Sequence, residues 1–262
     1  FGLWGFPRLE LVGAGLATLA SQGIALVLFG IVLKRAREDG PLALRLRHFT
    51  QLHQFTRKGG EFRRLARLAY PSIIERVGMN LALLVFFTVL SGYGAVAIAS
   101  YTVGIRLLSF SWIPGIGYAQ AVATLVGQSI GRNDLVAARR AGWRAARLAV
   151  GTALVMGVVG AWLRVPLAEL FSRDPATIAI LVPFMLAMCL CQPTLQLHFT
   201  LAGAHRGAGD TWTPLVSSLV GTWGLRVLLA TVFAARGLPL AWIWGALFLD
   251  HLSRAVWLTL TF

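Results

Sequence analysis

Seven ionisable residues stand inside long apolar runs: Glu75, Arg76, Arg106, Arg226, Asp250, His251 and Arg254. Charge within such a run is costly in a membrane, so these groups are the first candidates for function. Glu75 carries the sharpest expectation. With Arg67 at the water interface, it lies roughly 12 Å deeper at a rise of about 1.5 Å per residue. An acid at that depth can take a proton or a sodium ion on one side and release it on the other. The competing reading is structural. Arg106, on the neighbouring run, falls within about one helical turn of Glu75 in depth and would neutralise it, or Glu75 sits in a wet entrance. Asp250 and Arg254 are one turn apart and share a face, and Arg226 reaches a similar depth. An Arg226–Asp250–Arg254 network would neutralise itself, which is structural work. His251 reads as packing or a hydrogen-bond donor.

Uncharged polar and aromatic residues come next. Gln120, Gln128, Gln192 and Gln196 could line a cavity or join helices. Tyr101, Phe110, Trp112 and Tyr118 could form a wall for flat cationic molecules, using ring faces as cation sites. Each could equally face lipid or the membrane interface. No phosphate-binding loop, His-Glu-x-x-His zinc motif or Gly-x-Ser-x-Gly nucleophile elbow is present. Gly115-Ile116-Gly117 is no dinucleotide loop, because no strand precedes it. Cys189 and Cys191 lie in an apolar run, without disulfide-framework or zinc spacing. The expectation is therefore no enzyme, no resident cofactor and no metal.

The elements that must position these residues are long and apolar. A span needs about 20 apolar residues to cross about 30 Å of hydrocarbon. Such runs cover Leu11–Leu33, Pro71–Leu90, Ala95–Gln128 with a kink at Pro114-Gly115, Leu148–Leu163, Ala176–Gly203, Pro214–Ala235, and Pro239 to the end. Pro71, Pro214 and Pro239 suit first-turn positions. Residues 34–70 read as a basic linker closing on an amphipathic lead-in helix. Gly131–Asp134, Pro166–Pro175 and Gly207–Asp210 read as breaks. The expectation is an all-α polytopic membrane protein of about seven transmembrane helices, divided at 1–33, 34–70 and 71–262.

Composition agrees. The chain is 57% hydrophobic and only 13% charged, with a mean hydropathy of +0.71. Soluble domains carry about 25% charged residues. The net charge is +14, which raises a nucleic-acid reading. The basic residues, however, sit in clusters between apolar runs, as in cytoplasmic loops. Seven spans put Lys34 to Arg67, Arg132 to Arg147 and Arg206 on one side. Only Arg8, Arg164, Arg173 and Arg236 fall on the other. The chain begins at Phe1 without Met or a signal peptide and stops within an apolar run, so both ends read as those of a fragment. Gly13-Ala14 with Ser21 and Gly245-Ala246 with Ser253 form a faint internal repeat, as parallel repeats in transporters do.

Three stretches resemble the multidrug and toxic compound extrusion (MATE) family. The first is Tyr70-Pro71 followed by Glu75. The second runs from Ala97-Ile98-Ala99-Ser100-Tyr101-Thr102 through Ala121–Gln128 and closes on Gly131. The third is Ala202–Thr211 followed by Thr213-Pro214, with Trp223 and Arg226 beyond. The resemblance implies that Leu11–Leu33 is the sixth helix of twelve and the rest helices seven to twelve. It implies an N-terminal lobe of the same protein as partner. It implies export of amphipathic or cationic molecules from the cytoplasmic membrane in exchange for H+ or Na+, by rocking of two lobes. Glu75 then resembles the cation-coupling acid of the seventh helix, which some members carry nearer Met79. Members with a second acid in the tenth helix have it where this chain has Gln192 to Gln196. The Gly127-Gln128…Gly131 and Arg206-Gly207…Gly209-Asp210 motifs resemble structural gates in cytoplasmic loops, with Asp210 placed to cap the following helix. The rivals are a lipid-linked oligosaccharide flippase of the same superfamily, a non-transporting remnant, and more distantly an intramembrane enzyme.

Overall fold

The computed structural model describes residues 10–35 and 59–262, which are helices joined by short turns, with no strand among them. The described residues divide between 63 and 64 into two units. Most of the basic linker, residues 36–58, lies outside the described residues. The first unit holds α1, Glu10–Arg35. Its apolar side chains, Leu19, Leu26 and Phe29 among them, are exposed along its length.

Seven helices build the second unit, the first of them beginning just ahead of it. They are α2, Gly59–Ser91; α3, Ala95–Ser109; α4, Trp112–Gly131; α5, Leu135–Phe171; α6, Pro175–Gly207; α7, Trp212–Ala235; and α8, Leu240–Thr261. Four of them, α2 and α5 to α7, are long and apolar enough to cross a membrane, and the bent pair α3–α4 makes a fifth such span. With α1 and α8 the chain has seven rods among its described residues. This is an all-α polytopic membrane fold.

The packing inverts the logic of a soluble bundle. On α5 the buried residues are small: Ala138, Gly142, Ala146, Ala149, Ala153 and Gly157. The bulky ones, Leu148, Leu154, Val158 and Trp162, are exposed. Small residues let helix backbones approach closely, while large apolar ones face lipid at no cost. Helix α6 packs against α3, α4, α5, α7 and α8 and is the axis of the unit. Toward its N-terminal end, an aromatic cluster of Phe86, Tyr101, Phe184 and Trp244 fills the core. Tyr101 and Trp244 stack with centroids 6.2 Å apart, and Phe184 meets Trp244 at 4.6 Å.

Several expected boundaries move. Helix α2 passes through Pro71, so residues 59–70 are no separate lead-in but its first three turns. Where lipid is the solvent, one lost N–H does not end a helix whose other backbone groups must stay internally bonded. Likewise α5 runs unbroken through the Arg-rich segment and Pro166, and the polar turn shrinks to Ser172–Asp174. The kink expected at Pro114-Gly115 lies upstream, at Phe110-Ser111, where α3 and α4 meet at 50°. Pro114 then occupies the first turn of α4, where its absent N–H would have had no partner anyway. Gln196 seals the bend, donating from Nε2 to the Ser111 carbonyl at 3.0 Å.

Inside α7, Val220–Val227 is wound as a π-helix. Thr222 and Arg226 reach α8 from this segment, and Ser218, just ahead of it, reaches α2. Such segments are rare and cluster at functional places.

Candidate functional site

Two charged clusters meet around His198, Phe199 and Arg254, each beside its own cavity. The first is centred on Glu75, which is buried in α2. Its Oε2 accepts a hydrogen bond from Arg206 Nη2 at 2.7 Å, and its Oε1 accepts one from Ser218 Oγ at 2.8 Å. One carboxylate thus ties α2 to the end of α6 and the start of α7. Trp223 Nε1 adds a bond to the Gly78 carbonyl at 3.1 Å, one turn further along α2. Glu75, Arg76, Arg206 and Ser218 line a cavity of about 360 Å³.

This corrects the structural partner expected for Glu75. The carboxylate is paired with Arg206. Arg106 is exposed, makes no ion pair among the described residues, and lines the other cavity. Equal depth on neighbouring helices was the wrong criterion, because the two side chains point to different faces. Arg206 itself is no loop residue: α6 continues to Gly207.

In the second cluster the acid is sealed. Asp250 is 0% exposed. Arg254 Nε bonds Asp250 Oδ1 at 2.5 Å and Arg254 Nη2 bonds Oδ2 at 2.9 Å. Arg226 Nη2 lies 2.5 Å from Oδ2. Arg254 Nη2 also donates to Thr222 Oγ1. The structure therefore brings Arg226, Asp250 and Arg254 together, with Arg106 outside the network. Gly221 makes the space, since a methyl there would meet Asp250 Oδ1 and come 2.8 Å from Arg254 Nε. His251 Nε2 accepts from Arg226 Nη2 at 3.3 Å. Its ring stacks on His198 with centroids 5.4 Å apart and planes 18° apart. With Nε2 as acceptor the proton sits on Nδ1, and that buried atom has no partner.

Beside this network lies a cavity of about 440 Å³, with Phe87, Tyr101, Trp112 and Phe199 among its walls. Of the expected cavity residues, Tyr101 and Trp112 line it. The glutamines do not. Gln120 is exposed elsewhere, while Gln192 and Gln196 are buried between helices, Gln196 at the α3–α4 bend. Phe110 is exposed, and Tyr118 bonds Thr152 at 2.9 Å. A glutamine can satisfy backbone freed by a bend, a demand the sequence pattern does not display.

The loop motifs also resolve into packing. Gly127, Gln128 and Gly131 lie in the last turns of α4, and Arg206 and Gly207 in the last turn of α6. A methyl on Gly203 or Gly207 would collide with the backbone of Ala119 or Ala123. Glycine at a spacing of four therefore sets α4 against α6 in near backbone contact. Gly209 has φ 83°, a left-handed turn conformation that favours glycine. Asp210 Oδ1 accepts the amides of Trp212 at 3.1 Å and Thr213 at 3.0 Å, capping α7. Its Oδ2 meets His205 Nδ1 at 3.1 Å. Partial burial pushes the Asp210 carboxyl up, but the Thr213 bonds and His205 outweigh it and hold the group below its ordinary range.

Sequence reasoning missed His198, Ser218 and Thr222. The signal was available: Ser218, Thr222 and Arg226 recur at i, i+4 and i+8, a polar stripe on an apolar helix. Among the described residues no group of His, Cys, Asp and Glu could hold a metal ion.

Residues 71–232 match the MatE family model. A probable multidrug resistance protein NorM from Thermotoga maritima is 30% identical over 250 residues, which are 93% of this chain and 51% of the relative. An uncharacterized transporter, YisQ, from Bacillus subtilis is 25% identical over 98% of this chain and 55% of its own length. The chain thus spans about half the length of the curated relatives it matches. Among solved structures, a MOP superfamily transporter from Pyrococcus furiosus superposes with a TM-score of 0.82 at 20% identity, over 95% of this chain and 55% of that one. An outward-facing multidrug resistance MATE family transporter gives 0.81 at 19%, over 95% and 54%.

Proposed function

Because the chain belongs to the MatE family, we propose that it forms part of a secondary active exporter of amphipathic small molecules, driven by exchange for a proton or a sodium ion. The multidrug resistance proteins among its relatives support that substrate range. The observation that carries the coupling is the state of Glu75, a buried carboxylate holding Arg206 and Ser218 at once. A proton or Na+ arriving at Glu75 cancels or shares the charge that binds Arg206. The arginine lets go, and the end of α6 is freed from α2. When the ion leaves, the pair re-forms. Ion and arginine compete for one carboxylate, so binding of the ion favours one arrangement of the helices over the other. Alternating access between two lobes is the motion that this exchange serves. The basic ends of α4, α5 and α6 face the cytoplasm on the positive-inside rule, in the cytoplasmic membrane.

The test is dye efflux from cells expressing the protein at its full natural length, with Glu75→Gln beside it. The proton and sodium gradients are collapsed separately. Loss of efflux in Glu75→Gln at normal expression is expected, and the gradient whose collapse stops the native protein names the ion. Undiminished efflux by Glu75→Gln would remove Glu75 from the coupling.

A further inference from the structure

The cavity of about 440 Å³ is lined at three points by ionised groups, and all three are arginines: Arg106, Arg226 and Arg254. No aspartate or glutamate reaches its wall. Asp250, the acid paired with two of these arginines, is wholly buried, and both its oxygens are taken by Arg226 and Arg254. Three guanidinium groups against one carboxylate leave the wall with positive charge in excess. The two histidines, His198 and His251, are neutral or positive and add no negative charge in any state. The neighbouring cavity shares His198 and Arg254 and brings Arg76 and Arg206. Its one acid, Glu75, is engaged by Arg206.

We propose that this cavity binds an organic anion: a flat apolar body carrying a carboxylate, sulfonate or phosphate group. The proposal deepens the exporter reading and rests on it, because it names the substrate class that the exporter selects. The charged group sits against Arg106 and Arg226, whose guanidinium forks match a planar or trigonal oxyanion. The Nε of Arg226 is buried without a partner, so this side chain is under-satisfied as it stands. The apolar body lies against Tyr101, Phe87, Trp112 and Phe199. The volume suits a molecule of two or three fused rings, at the lower end of small-molecule sites. In a low-dielectric wall an anion relieves the uncompensated charge, whereas a cation adds to it. The aromatic wall could in principle serve a cation, but the arginines among the rings repel one.

The probes are naphthalene-2-sulfonate and trimethyl(2-naphthyl)ammonium, which share a ring system and differ in charge. Their binding to the purified full-length protein in lipid nanodiscs is measured by calorimetry, with protein-free nanodiscs as blank. The sulfonate is expected to bind roughly tenfold tighter or more than the ammonium. Arg106→Glu should reverse the order, and Arg106→Lys should restore it in part. Arg106 is exposed and makes no ion pair, so these variants should fold. Equal or tighter binding of the ammonium, or an order indifferent to Arg106→Glu, would overturn the proposal. Efflux of cationic dyes by a protein that does not bind the sulfonate would overturn it while leaving the exporter reading intact. Sulfonate binding without any efflux would do the reverse.

Discussion

Asp250 is the counter-charge of two guanidinium groups, one buried and one partly so, and its removal tests how much the network contributes. Breaking a buried ion pair by deleting one partner costs about 3–5 kcal/mol, because the remaining charge has nowhere to go. Asp250→Ala should lower the thermal midpoint in detergent far more than Glu75→Gln, which keeps a hydrogen-bonding side chain beside half-exposed Arg206. Similar losses in the two variants would mean that water reaches Arg226 and Arg254. Asp210 supports a milder expectation. Losing a helix cap costs about 1 kcal/mol. Because the folded-state carboxyl is held below its ordinary range, its contribution is present above about pH 4 and fades as pH falls through the folded value. Unfolding midpoints of the native protein and Asp210→Ala should therefore differ at pH 6 and converge as the solution is acidified below that range. A gap that persists in acid would assign the cap to something other than the ionised carboxylate.

Helix α7 owes its arrangement to Val220–Val227, whose π winding carries Thr222 and Arg226 to Asp250 and its partner Arg254. Arg226→Leu keeps α7 long enough to span but removes from Asp250 the guanidinium that the π winding delivers. Efflux is expected to vanish although the protein still reaches the membrane, which cell fractionation with an efflux assay checks. At the α4–α6 contact, Gly203→Ala and Gly207→Ala should each destabilise by about 1–3 kcal/mol through overpacking, read by thermal unfolding. The apolar runs made these helices legible. So did the clustering of Arg residues at alternate turns. The α3–α4 bend lies three residues ahead of Pro114, because proline marks where a helix can start as well as where it breaks. The pairing of Glu75 with Arg206 was not legible either. It joins residues 131 positions apart, and only the rotation of α2 and α6 about their axes decides which side chains meet. Asp250 with Arg254 was readable, because a spacing of four fixes a shared face without help from tertiary packing.

Helix α5 carries its bulk outward and its small residues inward, and this sorts substitutions by solvent. Val158 is 69% exposed on α5. On a soluble protein, a lysine there would be nearly neutral. At the centre of a span it costs about 2.5–3.5 kcal/mol on insertion scales. Val158→Lys should therefore reduce the membrane-inserted fraction, seen by alkaline extraction. Full retention would place that face of α5 against water or another protein surface. The same distribution gives the second unit an axis: α6 touches five other helices, so amide exchange should be slowest along its middle.

Gly221 has a history written into its position. It leaves room for the Asp250–Arg254 pair that no larger residue would leave. Every single-nucleotide change of a glycine codon that alters the amino acid adds heavy atoms. Drift at this codon therefore has no gentle first step. The position should stay fixed while nearby lipid-facing sites wander, and an escape would need a second substitution that trims Arg254 or Asp250 in the same lineage.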